Sequence, residues 1–372
     1  MAGRHRSLAV PLALAMVALV AYASLHPFTG WRWPAGSDPA TLLTLPWPPW
    51  ETPLDETLNF LGYLPLGLLI AVAAMRSGWQ VHGAVALAVL APALLSYACE
   101  VTQHFLPTRH PSLKDWTMNA LGGASGAALA VLLRSTGALG HLQRLRERWF
   151  LPRSAGALAL LALWPAALLF PTPVPWGLGQ IGHRARALLV ALLDDVPWAE
   201  GATAVLAPLP ALQPLSPLSE RAAAILGLLS PVLLAYAIVR PGLRRIAMAA
   251  GALLLGFLAM TVSTLLNFGP LHALAWLTPA AVVGAGSAAA AALAAAWLPR
   301  RLVMALALIA LSALLALVQQ APADPYFALT LQAWEQGRWV HFHGLSQWLG
   351  WLWPFAAIGW LLARLSTNEG LP

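Results

Sequence analysis

Charge is what this chain has least of. Only 9% of its 372 residues are Asp, Glu, Lys or Arg, against roughly a quarter in soluble domains, which excludes an ordinary water-soluble globule. Cysteine is almost missing. Cys99 stands alone, ruling out an internal disulfide or a thiolate metal cluster, and reads as a small apolar core residue at a helix end. Strict alternation of apolar and polar residues is absent too, and with it the signature of a transmembrane barrel. No P-S-G-H, G-x-S-x-G or H-E-x-x-H motif occurs, so the familiar hydrolytic machineries are excluded.

What is present is apolar: 59% of the residues are hydrophobic and the mean hydropathy is +0.70. Runs close to the roughly 20 residues that cross a bilayer as a helix recur along the whole chain. They predict an all-α, polytopic transmembrane helix bundle of about ten spanning helices. The spans are expected at 8–25, 58–75, 80–99, 116–133, 156–171, 222–239, 246–266, 272–297, 302–318 and 346–363.

Placing the N-terminus in the cytoplasm puts Arg4, Arg6, Arg76, Arg134, Arg144, Arg146, Arg148, Arg153, Arg240, Arg244, Arg245, Arg300, Arg301 and Arg364 inside. Every acid except Glu147 and Glu369 then falls outside, the asymmetry expected of short loops. The formal charge of +7 is explained by anchoring against anionic lipid and calls for no nucleic acid. Arg4, His5 and Arg6 before an apolar run ending in Ala21-Tyr22-Ala23 also fit a signal peptide; the length of the run favours a retained helix.

The reading divides the chain into a four-helix membrane domain at 1–135, a basic cytoplasmic linker at 136–153, a second four-helix half at 154–300 and two further transmembrane helices at 301–372. External loops at 26–54 and 172–219 are rich in Pro and Trp, as suits caps at headgroup depth, the second with a short interfacial helix around 182–193. A third external loop, 319–345, ends in a Trp- and His-containing stretch, where His341 and His343 read as interfacial packing. The segments opening with P-L-D-E at Pro53 and P-L-S-E at Pro217 share eight of 24 positions. They read as a degenerate repeat in parallel orientation. In that alignment Ser263 and Ala275 of the second copy replace Glu100 and Asp115 of the first, so the second copy is expected to be a packing partner.

Ionisable residues at membrane depth mark functional sites, and they concentrate between Asp55 and Gly126. Helical spacing groups Asp55, Asn59 and Tyr63, then Glu100, Gln103 and His104, then Asp115 and Asn119. The intervening loop adds Arg109, His110, Ser112 and Lys114. Under the expected topology these clusters converge at the outer face. Asp55 and Asp115 also suit helix N-termini, and Glu100 is a natural partner for Arg109 or Lys114. Gly122 and Gly126, and Gly62, Pro65 and Gly67, read as close-packing positions. His104, His110, Glu100 and Asp115 match no established metal spacing, so no metal or other cofactor is expected.

These residues carry a resemblance. Residues 8–135 resemble a VanZ-like domain in Asp55, Asn59, Pro65, Gly67, Glu100, Gln103, Phe105, Pro107, Arg109, Asp115, Asn119 and Gly126. The resemblance implies a polytopic protein of the bacterial envelope, from a family named for a member linked to resistance to a glycopeptide antibiotic. It supplies no reaction.

Three functions remain open. The first is binding of an anionic lipid or a lipid-linked cell-wall precursor through Asp55, Asn59, Glu100, Gln103, Arg109, Lys114, Asp115 and Asn119, in the bacterial inner membrane. The second is an enzyme acting on a lipid-linked phosphate or sugar, with Glu100 and Asp115 as acid and base. The third is a transporter, which fits less well because the ionisable groups sit at helix ends rather than at mid-membrane.

Overall fold

The structure, a computed structural model, describes residues 9–26, 28–34, 36, 38–47, 53–193, 196, 198, 201, 214–322 and 340–366. Arg4, Arg6, Trp50, Glu369, most of the third external loop and the side chains of His341 and His343 lie outside them. The chain separates into two compact units, residues 1–148 and 149–372.

Unit 1 contains α1 (Ala9–Leu25), the short α2 (Pro39–Leu42), α3 (Pro53–Arg76), α4 (Val81–Gln103) and α5 (Leu113–Ser135), and runs into α6 (Ala138–Trp149). Unit 2 contains α7 (Ala155–Ala167), α8 (Gly182–Leu193), α9 (Pro217–Tyr236), α10 (Leu243–Phe268), α11 (Pro279–Ala295), α12 (Arg300–Val318) and α13 (Val340–Ser366). Among the described residues there is no strand, only an isolated bridge between Phe150 and Val239. Six helices, α3, α4, α5, α9, α10 and α12, are long and apolar enough to cross a membrane, and α1, α7 and α11 are shorter apolar helices. The chain is therefore an all-α, multi-pass membrane-type protein.

Local signals account for the helix ends. Asp55 and Glu56 lie in the first turn of α3, where carboxylates favour the positive end of the helix dipole. Gly78, with φ of +95°, turns the chain from α3 into α4. Ser112 caps α5 through its side chain, and Asp115 lies in that helix's first turn. Where a full helix was expected at 272–297, residues 270–272 form a single tight turn and α11 starts only at Pro279, after a Thr278 cap. A proline at the first helical position fixes that later start. The basic segment after α5 is itself largely helical, as α6.

Unit 1 is organised by glycine. A Cβ added at Gly122 would strike the Phe60 carbonyl, one at Gly126 the Leu64 carbonyl and one at Gly67 the Gly123 carbonyl. Phe60 with Gly122 and Leu64 with Gly126 advance together along both helices, so α3 and α5 run parallel with their backbones in contact. Gly123 lets Pro92 of α4 approach in turn, at 2.9 Å from an added Cβ. Fully buried alanines at 71, 84, 88, 127 and 130 continue the same small-residue packing.

Unit 2 is centred on α9, which packs on α7, α10, α11 and α12. Around it, Trp164, Trp176 and Trp276 are buried, and the rings of Trp176 and Trp276 meet edge to face at 5.3 Å. Arg245 is fully buried, stacked on Tyr236 and donating to the carbonyls of Val239, Ala296 and Leu298 beyond the ends of α9 and α11. A cation there complements the negative ends of two helix dipoles.

The glycine contacts generate a prediction. Gly126→Ala places a methyl group against the Leu64 carbonyl and 2.6 Å from the Leu68 nitrogen, neither of which can rotate away. It is expected to destabilise the purified protein by about 1–3 kcal/mol. Gly62→Ala meets nothing within 4 Å and is expected to leave stability unchanged or raise it. Equal thermal unfolding midpoints for the two variants in detergent would contradict this packing.

Candidate functional site

The polar residues singled out in the sequence gather where α3 and α5 begin and α4 ends. Asn59, one residue before the Phe60 contact, donates its amide to the Asp115 carboxylate. Asp115 also receives the α5 cap, its backbone N–H donating to Ser112 Oγ at 3.0 Å. Glu100 is buried, 3% exposed, and its Oε2 accepts the Ser112 backbone N–H at 2.8 Å. The acid at the end of α4 is thereby tied to the residue that starts α5.

Asn119, one turn into α5, donates to Ser96 Oγ at 2.9 Å. Gln103 donates to the Ser24 carbonyl at 3.0 Å, linking α4 to α1. Arg109 fastens the same helix end, with Nε donating to the His26 carbonyl and Nη2 to the Ala23 carbonyl, each at 2.8 Å. A guanidinium at those terminal carbonyls serves as a bidentate cap on α1. Burial draws Arg109 below the usual arginine range, an effect Glu100 partly offsets. Burial, and then the Arg109 charge, lower His26 from the usual histidine range.

Glu100 was expected to meet Arg109 or Lys114, and its charge acts on Arg109 through space. Lys114 Nζ sits 2.6 Å from Glu56 Oε1, an ion pair that helical spacing did not point to. Glu100 also accepts a backbone donor, the Ser112 N–H. Asp55 is exposed at the start of α3. Tyr63, expected on a stripe with Asp55 and Asn59, is buried, and its hydroxyl makes no hydrogen bond. Asn119 Oδ1 and His104 Nε2 are likewise buried and unpartnered. His110 is exposed. Among the described residues no three His, Cys, Asp or Glu side chains gather as a metal site would require.

The loop before α3 closes over this cluster. Arg32 N–H donates to the Phe105 carbonyl at 3.0 Å and Leu113 N–H to the Pro46 carbonyl at 2.8 Å. Tyr97 donates to the Leu43 carbonyl at 2.6 Å, and Trp33 packs edge to face on Phe105 at 5.4 Å. Gly30, with φ of +75°, approaches Pro107 closely, 3.2 Å from an added Cβ. Sequence reasoning missed Ser24, Ser96 and Glu56. Ser96 is one turn before Glu100 in an otherwise apolar stretch, the signal that would have found it; the others follow only from the contacts.

The comparison with known families agrees with this segment. Residues 9–134 match the VanZ/LLP1 family model. The VanZ-like segment therefore runs from the start of α1 to the last turn of α5, and contains every residue of the cluster. No curated protein and no solved structure matches the chain.

Within the VanZ-like segment the cap and the ion pair differ in weight. Ser112→Ala removes the acceptor of the Asp115 N–H and is expected to cost about 1 kcal/mol. Lys114→Met breaks a pair that retains 17% and 30% side-chain exposure and is expected to cost less than about 1 kcal/mol. Chemical or thermal unfolding of both variants checks the order, and a larger loss for Lys114→Met would reverse it.

Proposed function

We propose that the chain is a ten-span protein of the bacterial cytoplasmic membrane, N-terminus inside. Its VanZ-like segment binds the headgroup of an anionic lipid or lipid-linked cell-wall precursor at the outer face. The topology rests on the distribution of arginines and acids among the loops. The ligand class rests on Arg109, whose third nitrogen, Nη1, makes no hydrogen bond among the described residues while the other two hold α1. Thr108 and His110 on either side of it are exposed. A positioned, partly buried guanidinium with a spare donor suits phosphate. Asn59, Asp115, Glu100, Gln103 and Asn119 act in this reading by fixing the helices and loop that present Arg109, with Asp55 and Lys114 at the rim.

A catalytic role for Glu100 and Asp115 has less support, because each is engaged by a donor of its own structure, Ser112 N–H and the Asn59 amide. Degenerate duplication has some. Gly284 of α11 seats 2.8 Å from Ala224 of α9, measured from an added Cβ. Ala224 follows Pro217 at the interval that separates Phe60, the seat of Gly122, from Pro53. Glu220 persists in the second copy, buried and accepting the Thr278 hydroxyl at 3.4 Å, so that copy is not stripped of charge.

Two measurements test the proposal. Arg109→Ala is expected to lose phosphate-bearing lipid from the purified protein, read by mass spectrometry of extracts, while Arg109→Lys retains part of it. Full retention in a correctly eluting Arg109→Ala protein rejects lipid binding at this place. For topology, Cys99 is buried and leaves little background, so His110→Cys is expected to react with a membrane-impermeant maleimide from outside and Arg301→Cys only after permeabilisation. A binder of cell-wall precursor would also shift glycopeptide susceptibility when overproduced.

A further inference from the structure

The polar cluster lies where α3 and α5 begin. Because those helices run parallel, their other ends, Arg76 and Ser135, come out together at the far end of unit 1. Thr136 and Gly137 stop α5 there, Gly137 with φ of +72° and its N–H donating to the Arg134 carbonyl at 3.0 Å. A left-handed glycine just beyond its last turn ends a helix. The chain then starts a new helix at once: His141 N–H donates to the Gly137 carbonyl at 3.0 Å as α6 begins. Among the described residues α6 makes no extended packing with another helix.

The side chains of α6 are sorted by face. At roughly 3.6 residues per turn, Ala138, Leu142, Leu145 and Trp149 fall on one narrow stripe. Arg146 borders that stripe on one side, His141 and Arg148 on the other. Glu147 stands on the opposite face, where it accepts the Gln143 amide at 2.9 Å. Leu142 and Leu145 are 55% and 45% exposed, so the stripe is not spent on the core of unit 1. An apolar stripe with cations on both borders and the acid behind it is the plan of a helix lying in an anionic interface. Its leucines enter the acyl boundary, while arginine stems run along them and bring guanidinium groups to the phosphates. Trp149 completes the stripe with a side chain suited to headgroup depth.

We propose that α6 lies in the plane of the membrane and binds the anionic lipid headgroups of the leaflet that meets the ends of α3 and α5. Two observations commit the stripe to lipid. The helix starts only two residues after α5, which is of membrane-crossing length and hydropathy, and so begins at the membrane boundary. Its charge is complementary to an anionic surface, with Arg144, Arg146, Arg148 and His141 against the single acid Glu147. This surface lies at the end of unit 1 opposite the polar cluster. It does not depend on ligand binding at Arg109 or on which side of the membrane α6 faces.

The test uses the full chain with Cys99→Ala, carrying an environment-sensitive fluorophore at Leu142→Cys or, on the opposite face, at Glu147→Cys. It is reconstituted in vesicles of phosphatidylcholine with or without phosphatidylglycerol. In the mixed vesicles brominated lipid is expected to quench the label at 142. Aqueous acrylamide is expected to quench the label at 147 at least about threefold more strongly than that at 142. The ratio of bilayer-docked to free label at 142 is expected to rise with phosphatidylglycerol content. It should fall about fivefold with Arg146→Gln or Arg148→Gln, less with Arg146→Lys, and not at all with Arg301→Gln, an exposed arginine outside α6. Equal quenching of both labels from water would overturn the interfacial helix. Docking that is the same with and without phosphatidylglycerol would overturn the anionic assignment. Shielding of 142 that brominated lipid does not quench, and that grows with the protein-to-lipid ratio, would assign the stripe to a second copy and overturn the membrane reading. If Cys99→Ala fails to fold, the same labels are placed in the chain that keeps Cys99, which is buried.

Discussion

The backbone contact between α3 and α5 positions the polar groups gathered at the start of that helix pair. In lipid the hydrophobic effect does not drive helices together, so association relies on close packing and interhelical hydrogen bonds. Gly67, Gly122, Gly123 and Gly126 supply the first by letting carbonyls lie where a methyl group would stand. Asn59 and Asp115 supply the second at the entrance of the same pair. Each reinforces the other, since the glycine seam fixes the distance at which the amide meets the carboxylate, and the hydrogen bond fixes the register of the seam.

From that frame the site grows by backbone as much as by side chain. Glu100 would be costly to bury alone, and the Ser112 N–H, the start of α5 and the field of Arg109 make its burial tolerable. Arg109 in turn holds α1 against the rest. Acid, base and helix termini form one connected arrangement, in which removing a member leaves another buried group without compensation.

Unit 2 uses the same resources differently. It buries tryptophans around α9 where unit 1 uses alanine and glycine, and its wholly buried cation, Arg245, caps two helix ends. Arg153 and Arg300 stand at the start of α7 and of α12, and Arg364 in the last turn of α13. Charge in this chain thus appears almost only where helices end. That is where unsatisfied backbone groups give an ion a partner and where a lipid headgroup lies within reach.

The helical membrane character, the positions of the long helices and the polar cluster at the ends of α3, α4 and α5 follow from sequence, because hydropathy and helical spacing are local properties. Close packing at Gly122 and Gly126 was legible as well, through the spacing of small residues. Which Gly in α3 faces the seam was not: Gly62 meets nothing and Gly67 meets Gly123, a difference of helix rotation that no local pattern encodes. The pairing of charges was equally hidden. Lys114 reaches Glu56 and Glu100 accepts a backbone amide, contacts set by distances across helices that are far apart in the chain. The sequence by itself determined how many polar groups would crowd one end of the bundle. Tertiary structure alone decided which groups each of them meets, because that depends on distances between helices far apart in the chain.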